Sequence, residues 1–167
     1  MKRLTWLLGP PGAGKTTFVG RQREFRRTVE LNAMLDPLVG PLGLRQGVLS
    51  ANAKLVEVIR AIELHADNAT LDPLLVVAGL VPEHALFPLD DREQVWLLLP
   101  ERERWELQLR SRPSGTGPRR AYDDIAYATL WYERFGEWLG RGLPIHPIEV
   151  AFEPALIGRC DSHDRLA

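Results

Sequence analysis

The chain has 167 residues, 45% of them hydrophobic and 26% charged, which suits one domain with its own core and excludes a disordered or fibrous protein. The 21 Lys and Arg against 22 Asp and Glu leave a net charge of −1, which argues against the broad basic surface that tight binding to duplex nucleic acid requires. The single cysteine, Cys160, has no partner for an internal disulfide, and no apolar run reaches membrane-spanning length, so a cytoplasmic protein with no membrane partner is expected.

Leu4-Thr5-Trp6-Leu7-Leu8 is an apolar run cut short by glycines, and it reads as a first strand rather than a leader. Gly9-Pro10-Pro11-Gly12-Ala13-Gly14-Lys15-Thr16 follows at once, a complete match to the phosphate-binding pattern G-x-x-x-x-G-K-[ST]. Glycines at 9, 12 and 14 let backbone N–H groups curl around phosphate oxygens with no Cβ in the way. A helix expected over about 15–26 points its positive end at the same phosphates. Lys15 is placed to reach the β- and γ-phosphates, and the Thr16 hydroxyl to ligate the Mg2+ that travels with the nucleotide. Gly9 through Thr16 together with Thr17 are the expected nucleotide contacts, for ATP or alternatively GTP. Arg21, Arg23, Arg26 and Arg27 form the basic outer face of that helix and are expected in solvent.

Thr28–Leu35 reads as a second strand ended by Asp36-Pro37, which puts Asp36 at a strand's carboxyl end. Val48, Leu49, Leu55, Val56, Ile59, Ile62 and Leu64 recur at helical spacing, so a long helix is expected over about 47–65. Residues 68–73 break it, and Leu74–Val81 is a continuous apolar run of the kind found in a central parallel strand. Gln94–Pro100 reads as a fourth strand, with a charged helix after it over about 101–110. A Gly-, Pro- and Ser-rich stretch over about 111–121 carries Arg112, Arg119 and Arg120 and reads as a lid, followed by a helix over about 122–139. Pro144–Val150 is a fifth strand, and 151–167 a closing segment. Trp96, Trp105, Trp131, Tyr132, Phe135 and Trp138 fall at spacings that suit core packing. His65, His84, His146 and His163 show no metal-ligand spacing with Cys160 or one another.

Strand–helix alternation with a glycine loop after strand one predicts a single three-layer α/β/α sandwich on a mostly parallel five-stranded sheet. Ligands of such sheets sit outside the carboxyl ends of the strands, where the glycine loop, Asp36, Gly79 and Pro100 would gather. Ala51-Asn52-Ala53-Lys54 is not the guanine-reading Asn-Lys-x-Asp of a GTPase, and the third strand ends Val77-Ala78-Gly79 without the acid that a motor ATPase uses to polarise water. One domain with an arginine-bearing lid instead suits phosphoryl transfer to a bound acceptor.

On these residues the chain resembles the small P-loop kinases, especially the group containing chloramphenicol phosphotransferase, zeta toxins and polynucleotide kinase-like proteins. The resemblance implies a nucleoside-kinase-like P-loop fold, with Asp36 accepting the proton of the acceptor hydroxyl and Arg112, Arg119 and Arg120 closing over the phosphates. Together with Lys15 these form the expected catalytic set, acting on a small-molecule hydroxyl. Two alternatives carry different expectations. A polynucleotide 5′-kinase would use the arginines at 21, 23, 26, 27, 119 and 120 as a phosphate track, and a nucleotide-dependent switch would bind ATP with no acceptor. Asn52, Lys54, Glu83 and His84 are candidate acceptor-pocket residues, and Tyr122-Asp123-Asp124 a helix start. Oligomeric state is not encoded in any pattern read here.

Overall fold

The computed structural model describes residues 1–111 and 125–149, with side chains throughout that range except at 32–46. Five strands, β1 (Leu4–Leu8), β2 (Arg27–Glu30), β3 (Leu74–Val77), β4 (Glu93–Leu97) and β5 (Ile145–Pro147), form one sheet in the order β2-β3-β1-β4-β5. All pairings are parallel, so every carboxyl end lies on one edge, with β1 at the centre. The helices are α1 (Lys15–Arg21), α2 (Leu31–Glu63), α3 (Glu83–Leu86), α4 (Arg102–Ser111) and α5 (Ile125–Gly140), with a 3-10 turn at Ala66–Asn68.

The period-two alternation of β1 divides the core between two faces. Leu4, Trp6 and Leu8 pack with Val76 and Val95 against Val48, Val56 and Ile59 of α2 and Trp131, Phe135 and Trp138 of α5. Leu7, Leu75 and Val77 face the other way and meet Phe18 and Val19 of α1 together with Ala13 and Phe25. Trp96 stands edge-on to Phe18 and Phe25, with ring centroids 6.3 Å and 5.5 Å away. A third, smaller cluster joins α4 to α5 through Trp105, Leu109, Ala128 and Tyr132. The three layers and the parallel sheet are thus those expected from the sequence, and the tryptophans do lie in cores.

The amino edge of the sheet is stitched by two buried carboxylates. Glu63 accepts from both terminal nitrogens of the Arg27 guanidinium, at 2.6 Å and 2.9 Å, and lies 3.5 Å from Arg3. Glu93 accepts from Trp6 Nε1 at 2.9 Å, Arg60 Nε at 2.7 Å and the Asp90 N–H at 2.8 Å. Arg60 extends this staple by donating to the Ala85 and Leu86 carbonyls at the end of α3.

Several boundaries differ from expectation. The second strand stops at Glu30 because its partner β3 has only four residues to pair with, and α2 starts at Leu31. Leu31, Met34, Leu35 and Leu38 are spaced i, i+3, i+4, i+7, a helical period, so the run expected as strand belongs to the helix. α1 ends at Arg21, so Arg27 is not on its outer face: it opens β2 opposite Leu74, at the amino edge, and is tied to Glu63. β3 and β4 end at Val77 and Leu97, which leaves Gly79 and Pro100 in the loops beyond them. The expected lid from Arg112 through Arg119 and Arg120, Tyr122-Asp123-Asp124, Cys160 and His163 lie outside the described residues.

Candidate active site

The loop Gly9–Gly14 leaves the central strand and delivers the chain into α1, so it occupies the middle of the carboxyl edge. Gly12 and Gly14 have φ of 82° and 88°, left-handed values that side chains other than glycine rarely adopt. Gly14 caps α1 with no side chain in the way, which leaves the first-turn N–H groups facing outward. Gly9 is required for a different reason: a Cβ there would stand 2.8 Å from the Leu98 carbonyl oxygen at the end of β4. Inside the loop Ala13 donates its N–H to Pro10 O at 3.1 Å, closing a turn.

Lys15 folds back over the loop it follows. Its Nζ donates to Gly9 O at 2.6 Å and Pro10 O at 2.9 Å, so one ammonium sets two carbonyls of the loop and stands at its centre. Gly79, just past β3, gives it room, since a Cβ there would lie 3.3 Å from Lys15 Cε and 3.5 Å from Nζ. Thr16 and Thr17 are exposed on the first turn of α1. Among the described residues no group of three or more His, Cys, Asp and Glu could hold a metal.

A cavity of about 510 Å³ opens beside the loop, between α1, the end of β4, α4 and the segment after β5. Phe18 and Ile148 give it apolar walls, while Arg21, Arg104, Gln108 and Glu149 line it with polar groups. That mix of apolar faces and a few polar groups is the make-up of a small-molecule site. A second hollow, of about 680 Å³, lies at the amino ends of β4 and β5, on the opposite edge.

Pro11 and Gly12 sit under α4. Trp105 Nε1 donates to Pro11 O at 2.8 Å, and a Cβ on Gly12 would meet Leu109 Cδ1 at 3.2 Å. Trp105 is itself fully buried and stacks on Tyr132, centroids 4.6 Å apart and planes 29° from parallel. The Tyr132 hydroxyl donates to Pro100 O at 2.6 Å, and burial pushes its phenol pKa above the ordinary value. This contact escaped sequence reasoning because Trp105 sits at a helical core spacing and nothing local reveals that its N–H meets a loop 94 residues away.

Other sequence-derived candidates disperse. Asp36 falls within the span of α2 rather than at a strand end, and its side chain is outside the described set. The acid that does end β2 is Glu30, which is exposed and in register with Val77. The change from the alternation of Arg27–Glu30 to the helical spacing that begins at Leu31 is the sequence signal that marks it. Asn52 is fully buried and donates Nδ2 to Leu80 O at 2.6 Å, strapping α2 to the segment after β3. Lys54 pairs with Glu57 at the surface, and Glu83 pairs with Arg141. Arg27, pinned at the amino edge, cannot join Arg21 in a phosphate track along the carboxyl edge.

No family model matches the sequence, and no curated protein matches it. Solved structures do share the fold. A sugar kinase from a Janibacter species superposes with a TM-score of 0.52 at 16% identity, over 84% of this chain and 95% of that one. Shikimate kinase from Acinetobacter baumannii, solved in complex with shikimate, gives 0.52 at 16% identity over 92% of this chain and 86% of its own. The chain therefore has the α/β fold found in small P-loop kinases. No described helix is long and apolar enough to cross a membrane.

Proposed function

We propose that this chain is an ATP- and magnesium-dependent phosphotransferase that moves the γ-phosphoryl group to a hydroxyl of a small-molecule acceptor. The observation that carries this reading is the loop at the centre of the carboxyl edge, with Lys15 Nζ bonded to Gly9 O and Pro10 O and a nucleotide-sized cavity beside it. The two fold neighbours, named as kinases of a sugar and of shikimate, support it.

In this reading the N–H groups of the loop and of the first turn of α1 hold the phosphate chain, and Lys15 neutralises charge on the β- and γ-phosphoryl oxygens. Thr16 would hold magnesium, which when bound supplies further neutralisation of the phosphates. Arg21 and Arg104 stand at the cavity where the nucleotide enters, and Arg112, Arg119 and Arg120 are proposed to close over it. The acceptor oxygen bonds to the γ-phosphorus as the bond to the β–γ bridging oxygen breaks and ADP leaves. The acceptor proton passes to a carboxylate, for which Asp36 and Glu30 are the candidates.

The test is release of ADP from MgATP, or of GDP from MgGTP, over a panel of sugars, shikimate and nucleosides. Acceptor-stimulated release is expected, and Lys15→Ala should abolish it. The carboxylate that serves as base should lose on the order of 10²- to 10⁴-fold in kcat when made an amide, as Asp36→Asn or Glu30→Gln. Nucleotide binding by Lys15→Ala as tight as that of the wild type would refute the site. Wild-type rates in both amide variants would refute a carboxylate base at either position.

A further inference from the structure

We infer that Trp105 is a positioning residue that aims the Gly12 N–H at the phosphate chain by fixing the Pro11–Gly12 peptide plane; this role rests on the nucleotide-binding reading above. Four residues separate the outer glycines of the loop, Gly9 and Gly14, and they contribute unequally as donors. Pro10 and Pro11 carry no N–H. Ala13 donates its N–H to Pro10 O at 3.1 Å, within the loop. Gly12 is therefore the residue of that stretch whose N–H remains for a ligand.

The peptide unit is planar and trans, so its C=O and N–H point in opposite directions. Trp105 Nε1 holds the Pro11 carbonyl at 2.8 Å from the α4 side, which turns the Gly12 N–H of the same plane away from α4. A glycine at φ 82° has few steric constraints of its own, so a loop built on Gly12 needs an outside restraint on this plane. Burial and two contacts keep the restraint rigid. Trp105 is fully buried, its ring is stacked on Tyr132 at 4.6 Å, and Tyr132 is anchored to Pro100 O at 2.6 Å. Leu109, one turn further along α4, closes on Gly12 from the same side, where a Cβ would meet its Cδ1 at 3.2 Å.

The test is Trp105→Phe, which keeps an aromatic ring against Tyr132 and removes the donor. Calorimetric titration with MgATP and with magnesium tripolyphosphate should show both dissociation constants rising by the same factor, roughly five- to tenfold, as for one lost hydrogen bond. A purely structural role would lower the melting temperature and leave both constants alone. The wild type gives a second readout: the Trp105 indole N–H cross-peak in a 15N-correlated spectrum should shift on saturation with magnesium tripolyphosphate. If Trp105→Phe binds both ligands within twofold of the wild type, Trp105 does not position the loop. If that variant does not fold, an indole cross-peak that stays fixed in the wild type at saturating tripolyphosphate overturns the role. A wild-type protein that binds neither ligand overturns the nucleotide reading itself, and this role with it.

Discussion

Glu93→Ala should destabilise the protein severely while leaving nucleotide affinity intact. The Glu93 side chain is 1% exposed and accepts from Arg60 Nε, Trp6 Nε1 and the Asp90 N–H, at 2.7, 2.9 and 2.8 Å. Removing it leaves the Nε–H of an arginine that is 23% exposed, a buried indole N–H and a backbone N–H without the acceptor they share, while Arg60 keeps the Ala85 and Leu86 carbonyls. Breaking a buried pair in this way costs about 3–5 kcal/mol, and the partial exposure of Arg60 places the loss near about 3. For a chain of this size each kcal/mol is worth roughly 2–4 °C, so the melting midpoint should fall by about 6–12 °C. Glu93→Gln keeps one carbonyl oxygen for Trp6 Nε1 and Arg60 Nε but turns its NH2 toward the Asp90 N–H and loses the charge assistance, for which about 1–3 kcal/mol is expected. Glu57→Ala, in the Lys54–Glu57 pair whose side chains are 76% and 67% exposed, is the comparison and should shift the midpoint by less than about 3 °C. Thermal melts followed by circular dichroism give the midpoints, and calorimetric titration with MgATP the affinity. The staple is at the amino edge and the loop at the carboxyl edge, so affinity should not change. A Glu93→Ala midpoint no lower than that of Glu57→Ala would refute the reasoning.

Two further outcomes are expected. Gly79→Val should weaken MgATP binding by at least about tenfold with little change in melting temperature, because its methyl groups fill the space around Lys15, already reached at 3.3 Å by a bare Cβ, and Gly79→Ala should have a smaller effect in the same titration. The Arg92 side chain, and then its backbone N–H, hold the Asp90 carboxyl well below the usual carboxylate range. A group depressed on folding stabilises above its unfolded pKa, about 3.9, and that contribution disappears as pH falls through the folded value. In Arg92→Ala the Asp90 carboxyl resonance should therefore titrate at higher pH, moving only part of the way to the ordinary value because the backbone donor at 2.9 Å survives; an unmoved midpoint would show that the side chain is not the main cause.

What was legible in the sequence follows the range of the forces involved. Gly9–Thr16 was readable because its conformation depends on residues that are neighbours in the chain, and β1, β3 and α5 because continuous or periodic apolar runs have few alternatives. The end of β2 was misplaced because Leu31–Leu35 is a short apolar run that suits either element, and its fate depends on how many residues β3 offers for pairing. Arg27 and Trp105 illustrate the same limit. Each looks ordinary in its own segment, yet Arg27 meets Glu63 36 residues away and Trp105 meets Pro11 94 residues away. Those contacts come from tertiary packing, which has no local signature.

The central place of β1 has a consequence for how the chain is made. β1 pairs with Leu74–Val77 on one side and Glu93–Leu97 on the other, so it has no hydrogen-bonded neighbour in the sheet until about 65 further residues have been synthesised, and its second neighbour comes later still. Until then Leu4–Leu8 is an apolar segment with two open edges, the kind of segment that chaperones bind and that aggregates when left uncovered. The glycine loop hangs from that strand and closes only when its neighbours arrive. A nascent chain stalled before residue 74 should therefore have no phosphate affinity, and its gain during synthesis would time the closure of the sheet's centre.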